Sequence, residues 1–88
     1  MPGLGQTGYH RGVITRGTPT PPYLQLVAIL RGKIQSGELA PGAQLPSALT
    51  LASDYQVSAP TVKKALGVLK DEGLIVGVAG YGTFVAEK

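Results

Sequence analysis

The stretch from Leu45 to Leu69, LPSALTLASDYQVSAPTVKKALGVL, constrains the fold more than any other part of this chain. Ser47 is a good N-cap for a helix running to about Tyr55, which would bury Leu51, Ala52 and Tyr55. Gln56-Val57-Ser58 leaves room only for a tight turn, and Ser58 caps the next helix, roughly Ala59 to Glu72. Pro60 falls in the first turn of that helix, where proline is tolerated. Val62, Ala65, Leu66 and Leu69 recur at i, i+3, i+4 and i+7 and predict a buried stripe. Thr61, Lys63, Lys64, Gly67 and Lys70 then lie on or near the opposite face.

The flanks complete a small domain. After Pro22, the residues Tyr23, Val27, Leu30 and Ile34, with Leu26 beside them, give a first helix one apolar face. Ser36-Gly37 ends it, and Leu39 is expected to fold back onto the core. Pro41-Gly42 turns the chain into a short extended piece, Ala43 to Leu45. Downstream, Leu74 to Val78 and Thr83 to Ala86 read as a hairpin around Ala79-Gly80-Tyr81-Gly82. The expected class is mainly α with a small β-hairpin, in the order α-α-α-β-β, with a minor strand before the second helix. Two short helices joined by a turn, with lysines exposed on the second, have the layout of a helix-turn-helix. The hairpin that follows would be its wing.

Bulk properties set the limits. The 88 residues allow one domain with one small core. A formal net charge of +3 favours a polyanionic partner only mildly, so the placement of the charges matters more than their sum. There is no cysteine, which excludes disulfides, thiol nucleophiles and thiolate metal sites. No apolar run approaches the roughly 18 residues needed to span a membrane, and the N-terminus lacks the pattern of a signal peptide. The expectation is a soluble cytoplasmic protein with no membrane partner. No nucleophile–base pair, acidic pair or metal cluster points to an enzyme, and no cofactor or metal is expected. His10 stands alone and reads as solvated.

Residues 1–21 are rich in Gly, Thr and Pro with no sustained periodicity, and are expected to form a flexible arm ahead of a domain at 22–88. Arg11 and Arg16 could reach a DNA minor groove from such an arm, against the plainer reading of a solvated tail.

Several separated motifs now carry a specific resemblance: PPYLQLVAIL, SGELAPGAQLPS, VSAPTVKKAL, LKDEGLI and GYGTFV, in that order from Pro22 to about Val85. The chain resembles the N-terminal domain of the GntR family of bacterial winged-helix transcription regulators. The resemblance implies sequence-specific binding of double-stranded operator DNA by a homodimer, usually as a repressor. It places the third helix in the major groove and the wing tip in or beside the minor groove. Carried over, the reading positions are Ser58, Ala59, Pro60, Thr61 and Lys63 at the start of that helix, with Lys64 toward phosphate. Ser47 and Leu49 stand at the start of the second helix, and Gly80, Tyr81 and Gly82 form the wing tip.

The departures from the family pattern thin the basic surface. Where the family typically has Ser-Glu-Arg-Glu, this chain has Ser47-Ala48-Leu49-Thr50, which removes half of a capping box and one arginine. A second family arginine is Ala59 here, the frequent turn glycine is Gln56, and Val76-Gly77-Val78-Ala79 carries no charge near the wing tip. Arginine is the usual bidentate reader of guanine, so recognition should lean on Lys63, Thr61 and Ser58 and tolerate A·T, with thymine methyls meeting Ala59 or Pro60. The rival reading is a winged helix that has lost DNA and binds another protein. Larger relatives continue into an effector-binding, dimerising domain. The expectation is therefore either a DNA-binding fragment or a compact protein dimerising weakly or on DNA, with no small-molecule effector site in this chain.

Overall fold

The computed structural model describes residues 14–87. Helix α1 spans Pro22–Ser36, with Pro22 at its first position, where a missing N–H leaves no helical bond unmade. It ends on Gly37 at φ 88°, a left-handed C′ residue whose N–H donates to the Ile34 carbonyl at 3.2 Å. Helix α2 spans Ala48–Tyr55 and is capped by the Ser47 hydroxyl, which accepts from the Thr50 N–H at 3.1 Å. Helix α3 spans Ala59–Asp71, with the Ser58 hydroxyl accepting from the Thr61 N–H at 3.2 Å. Both serine caps stand where the sequence puts them, and α3 stops one residue short of Glu72, which caps its C-terminus.

Between α2 and α3 the chain reverses through Gln56, at φ 57° and ψ 47°. It is the one non-glycine residue with positive φ among the described residues. A side chain there costs on the order of 1 kcal/mol, as the replacement of a turn glycine implies.

Strand β1 (Ile75–Val78) pairs antiparallel with β2 (Gly82–Val85), Val76 standing opposite Phe84. Strand β1 begins one residue later than the expected run and ends with it at Val78, while β2 is shifted one residue earlier than expected at both ends. The Leu74 N–H is committed to the Leu69 carbonyl at 3.0 Å, while Gly82 is drawn into the ladder opposite Val78. The far edge of β2 receives the expected minor strand as a single bridge, Gln44 to Phe84, flanked by Leu45 N–H to Thr83 carbonyl at 2.8 Å. The preceding turn holds Gly42 at φ 82°, as a turn with proline before a left-handed residue requires.

The core lies between the helices and the root of the hairpin. Leu26, Val27 and Leu30 of α1 meet Leu51 of α2 and the complete α3 stripe, Val62, Ala65, Leu66 and Leu69. Leu45, Ile75 and Val85 close it from the sheet, and Leu39 packs against it as expected. Truncating a residue such as Leu69, fully removed from solvent, would cost about 2–5 kcal/mol. Arg31 of α1 grips the Glu72 carboxylate with two donors, fixing the end of α3 to α1.

Contacts with this body begin upstream of the expected boundary at residue 22. Ile14 packs against the core, and the Gln25 side chain bonds Thr15 and Thr20. Arg11 and His10 lie outside the described residues.

Candidate nucleic-acid interface

With its apolar stripe committed to the core, α3 can offer only its other side to a partner. No polar or charged side chain is buried among the described residues, so the charges act at the surface. The three lysines of α3 have distinct surroundings. Lys63 is exposed and makes no hydrogen bond or ion pair among the described residues. Lys64 reaches back to α1, its Nζ 4.2 Å from the centre of the Tyr23 ring. Lys70 lies over the wing, its Nζ within 3.3 Å of where a Cβ on Gly77 would stand. Of the three, Lys63 is the cation left available for an anion or a base edge.

The hydroxyls at the start of α3 are largely spent. Ser58 Oγ accepts the Thr61 amide and shares a 2.8 Å bond with Thr61 Oγ1. Two hydroxyl hydrogens serve the pair and one is used between them, leaving a single donor for anything outside. Ala59 is half-buried and Pro60 exposed, so the leading edge of the helix is mostly apolar. Ser47 is engaged in the same way, by the Thr50 amide and hydroxyl. Leu49 stands out from α2 at 75% exposure.

The hairpin tip projects Tyr81 at 74% exposure. Its N–H closes the turn on the Val78 carbonyl at 2.9 Å, and Gly80 supplies the required φ of 83°. The Tyr81 carbonyl accepts from Gln44 Nε2 at 2.8 Å, which ties the tip to the minor strand. Gly82 is favoured by its φ of 121°, and a Cβ there would come within 2.7 Å of the same amide nitrogen, so the Gln44 side chain would have to move. Gly80 has open space around it. The structure thus brings Ser58 and Thr61 into direct contact within the α3 cap, and sets Gly80 and Tyr81 together at the tip. Tyr23 and Gln44, which hold Lys64 and the tip, were not foreseen from local sequence. Tyr23 reads there only as part of an apolar face, and nothing near Gln44 marks it as a brace.

What α3 offers is an exposed cation on a helix whose start is mostly apolar, and the hairpin adds an exposed, glycine-bearing tip. Among the described residues no group of three His, Cys, Asp or Glu is placed to hold a metal ion. No helix among them is long and apolar enough to cross a membrane.

Comparison with known proteins agrees with this architecture. The chain is 39% identical over 74 residues to the HTH-type transcriptional repressor NagR of Bacillus subtilis, covering 84% of this chain and 30% of that protein. It is 40% identical over 72 residues to the histidine utilization repressor of Klebsiella aerogenes, again over 30% of the relative. The chain therefore spans about a third of the length of these curated relatives. Among solved structures, the AraR DNA-binding domain in complex with operator ORX1 matches with a TM-score of 0.79 at 33% identity, over 84% of this chain and 94% of that one. YtrA from Sulfolobus acidocaldarius, a GntR-family transcription factor, matches with a TM-score of 0.79 at 40% identity, over 85% of this chain and 79% of its own. Residues 22–85 match the family of bacterial regulatory proteins called gntR, and with three helices, the last two forming a helix-turn-helix, followed by a wing, this chain belongs to it.

Proposed function

We propose that this chain is a DNA-binding transcription regulator, acting as a repressor, and that two copies bind a near-palindromic operator. The start of α3 enters the major groove, with Lys63, Thr61, Ala59 and Pro60 toward the bases. Lys64 serves phosphate, held in place by Tyr23. Leu49 and the cap of α2 flank the groove, and Gly80 and Tyr81 lie at the minor groove. The observation that carries this reading is the division of α3. Its apolar stripe is fully used in the core, while Lys63 is exposed and makes no hydrogen bond or ion pair among the described residues, and a hairpin wing follows α3. The similarity to a DNA-binding domain solved on its operator supports it.

The role assigned is binding rather than catalysis, in the cytoplasm, and no small-molecule effector is assigned to this domain. Selection from a pool of randomised duplexes tests it. Enrichment of half-sites about one helical turn apart is expected. A pool that stays random after repeated rounds would contradict it.

One observation favours a second reading, docking of a protein partner: Leu49, Val76, Val78 and Tyr81 are all exposed. Under it, replacing Lys63 and Lys64 with alanine leaves partner capture unchanged. Under the DNA reading the same change weakens binding to duplex.

A further inference from the structure

We propose that the segment from Ile14 to Thr20, which lies outside the family match, is a brace for the helix-turn-helix, with Arg16 as a positioning residue for α3. The inference rests on the DNA-binding reading above for its functional part and on geometry for the rest.

The Arg16 guanidinium donates to the Gln56 carbonyl across forty positions of sequence. Gln56 is both the C-cap of α2 and the left-handed hinge into α3. Carbonyls at a helix C-terminus lack intrahelical partners and carry the negative end of the helix dipole. Helix α2 has no basic residue in its last turn. Arg16 supplies that missing cation from outside the helix, through a charge-assisted bond to the residue whose conformation is least favourable.

The arginine is itself held. Gln25 of α1 accepts the Thr15 N–H at 2.7 Å and donates to the Thr15 carbonyl at 2.7 Å and the Thr20 carbonyl at 2.9 Å. Ile14 packs against the core on the other side. One glutamine thus clasps the arm at two points with Arg16 between them, and the arm carries its cation to the turn that sets the angle of α3. The segment lies ahead of residues 22–85, which the family model matches, while the similarity to NagR, over 84% of this chain, reaches into it.

The test compares the full chain with Arg16→Ala, Gln56→Gly and the double variant by two measurements. Amide hydrogen exchange is followed at Gln56 and Val57, and anisotropy is read as a function of salt on a labelled duplex carrying the selected site. In R16A, exchange at the turn should quicken at least severalfold and affinity should fall about fivefold with an unchanged salt slope, because no phosphate contact is lost. Glycine takes up the left-handed conformation without the side-chain cost, so adding Gln56→Gly to R16A should restore the affinity to within about twofold. A salt slope reduced by about 0.9 would make Arg16 a phosphate contact and overturn the proposal. Unchanged exchange at Gln56 and Val57 would overturn it too. Absence of duplex binding by the unaltered chain would overturn the positioning role along with the DNA reading, and the exchange measurement would still decide the brace.

Discussion

Lys64 lies with its Nζ 4.2 Å from the centre of the Tyr23 ring, so the first turn of α1 and the second turn of α3 are joined by a cation over an aromatic face. The contact gives a lysine assigned to phosphate a fixed origin, and it makes Tyr23 part of the surface as well as of the core edge. At an exposed site such a pair contributes about 0.5–1 kcal/mol. A double-mutant cycle with Tyr23→Leu and Lys64→Ala should return a coupling of that size in urea unfolding. Additive effects would show that the ring only packs.

The α3 cap is expected to matter for stability more than for base reading. Ser58→Ala removes the acceptor of the Thr61 amide and should cost about 1 kcal/mol. For a domain of this size that lowers the Tm by about 4–8 °C. Ser58→Gly should cost only a few tenths, and thermal melts of the two variants distinguish capping from any other role of the side chain.

Much of the fold was legible in the sequence because it is written in local periodicity. The α3 stripe, both serine caps, the glycine that ends α1 and the proline-glycine turn need only near neighbours to be read. The strained position of Gln56 was legible only through the resemblance, which puts a frequent turn glycine there. Arg16 on Gln56, Arg31 on Glu72 and Gln44 beneath the wing tip join positions far apart in sequence, and no spacing rule reaches them. Ile29 is buried although it stands off the stripe read for α1, because that helix is covered over a wider arc than its strongest apolar positions suggest. For the candidate site, the sequence shows which residues head α3. It could not show that Ser58 and Thr61 spend their hydroxyls on each other.

Gly67 sits within α3 with nothing inside 4 Å of the position a Cβ would take. Gly67→Ala should therefore stabilise the domain by about 0.5–1 kcal/mol, read as a higher urea midpoint at unchanged m-value. A loss of stability would mean that this face is packed against something in solution.

An apolar helix start and nearly spent hydroxyls predict sensitivity to thymine methyls. Replacing thymine by uracil within the selected operator removes one methyl per substitution. Where Ala59 or Pro60 covers that methyl, the loss should be about 0.8 kcal/mol, a factor of about four in Kd. Indifference to uracil, together with a strict requirement for guanine, would contradict this description of the reading edge.

The most direct test of the DNA-binding claim is a fluorescence-anisotropy titration of labelled duplex across a salt series, run with the unaltered chain and with Lys63→Ala/Lys64→Ala. About three to five phosphate contacts per subunit predict a log Kd against log salt slope of about 2.7 to 4.5 in magnitude. Both the affinity and the slope should fall in the double variant. Binding that ignores salt and survives loss of both lysines, or no binding even at low salt, would contradict the claim.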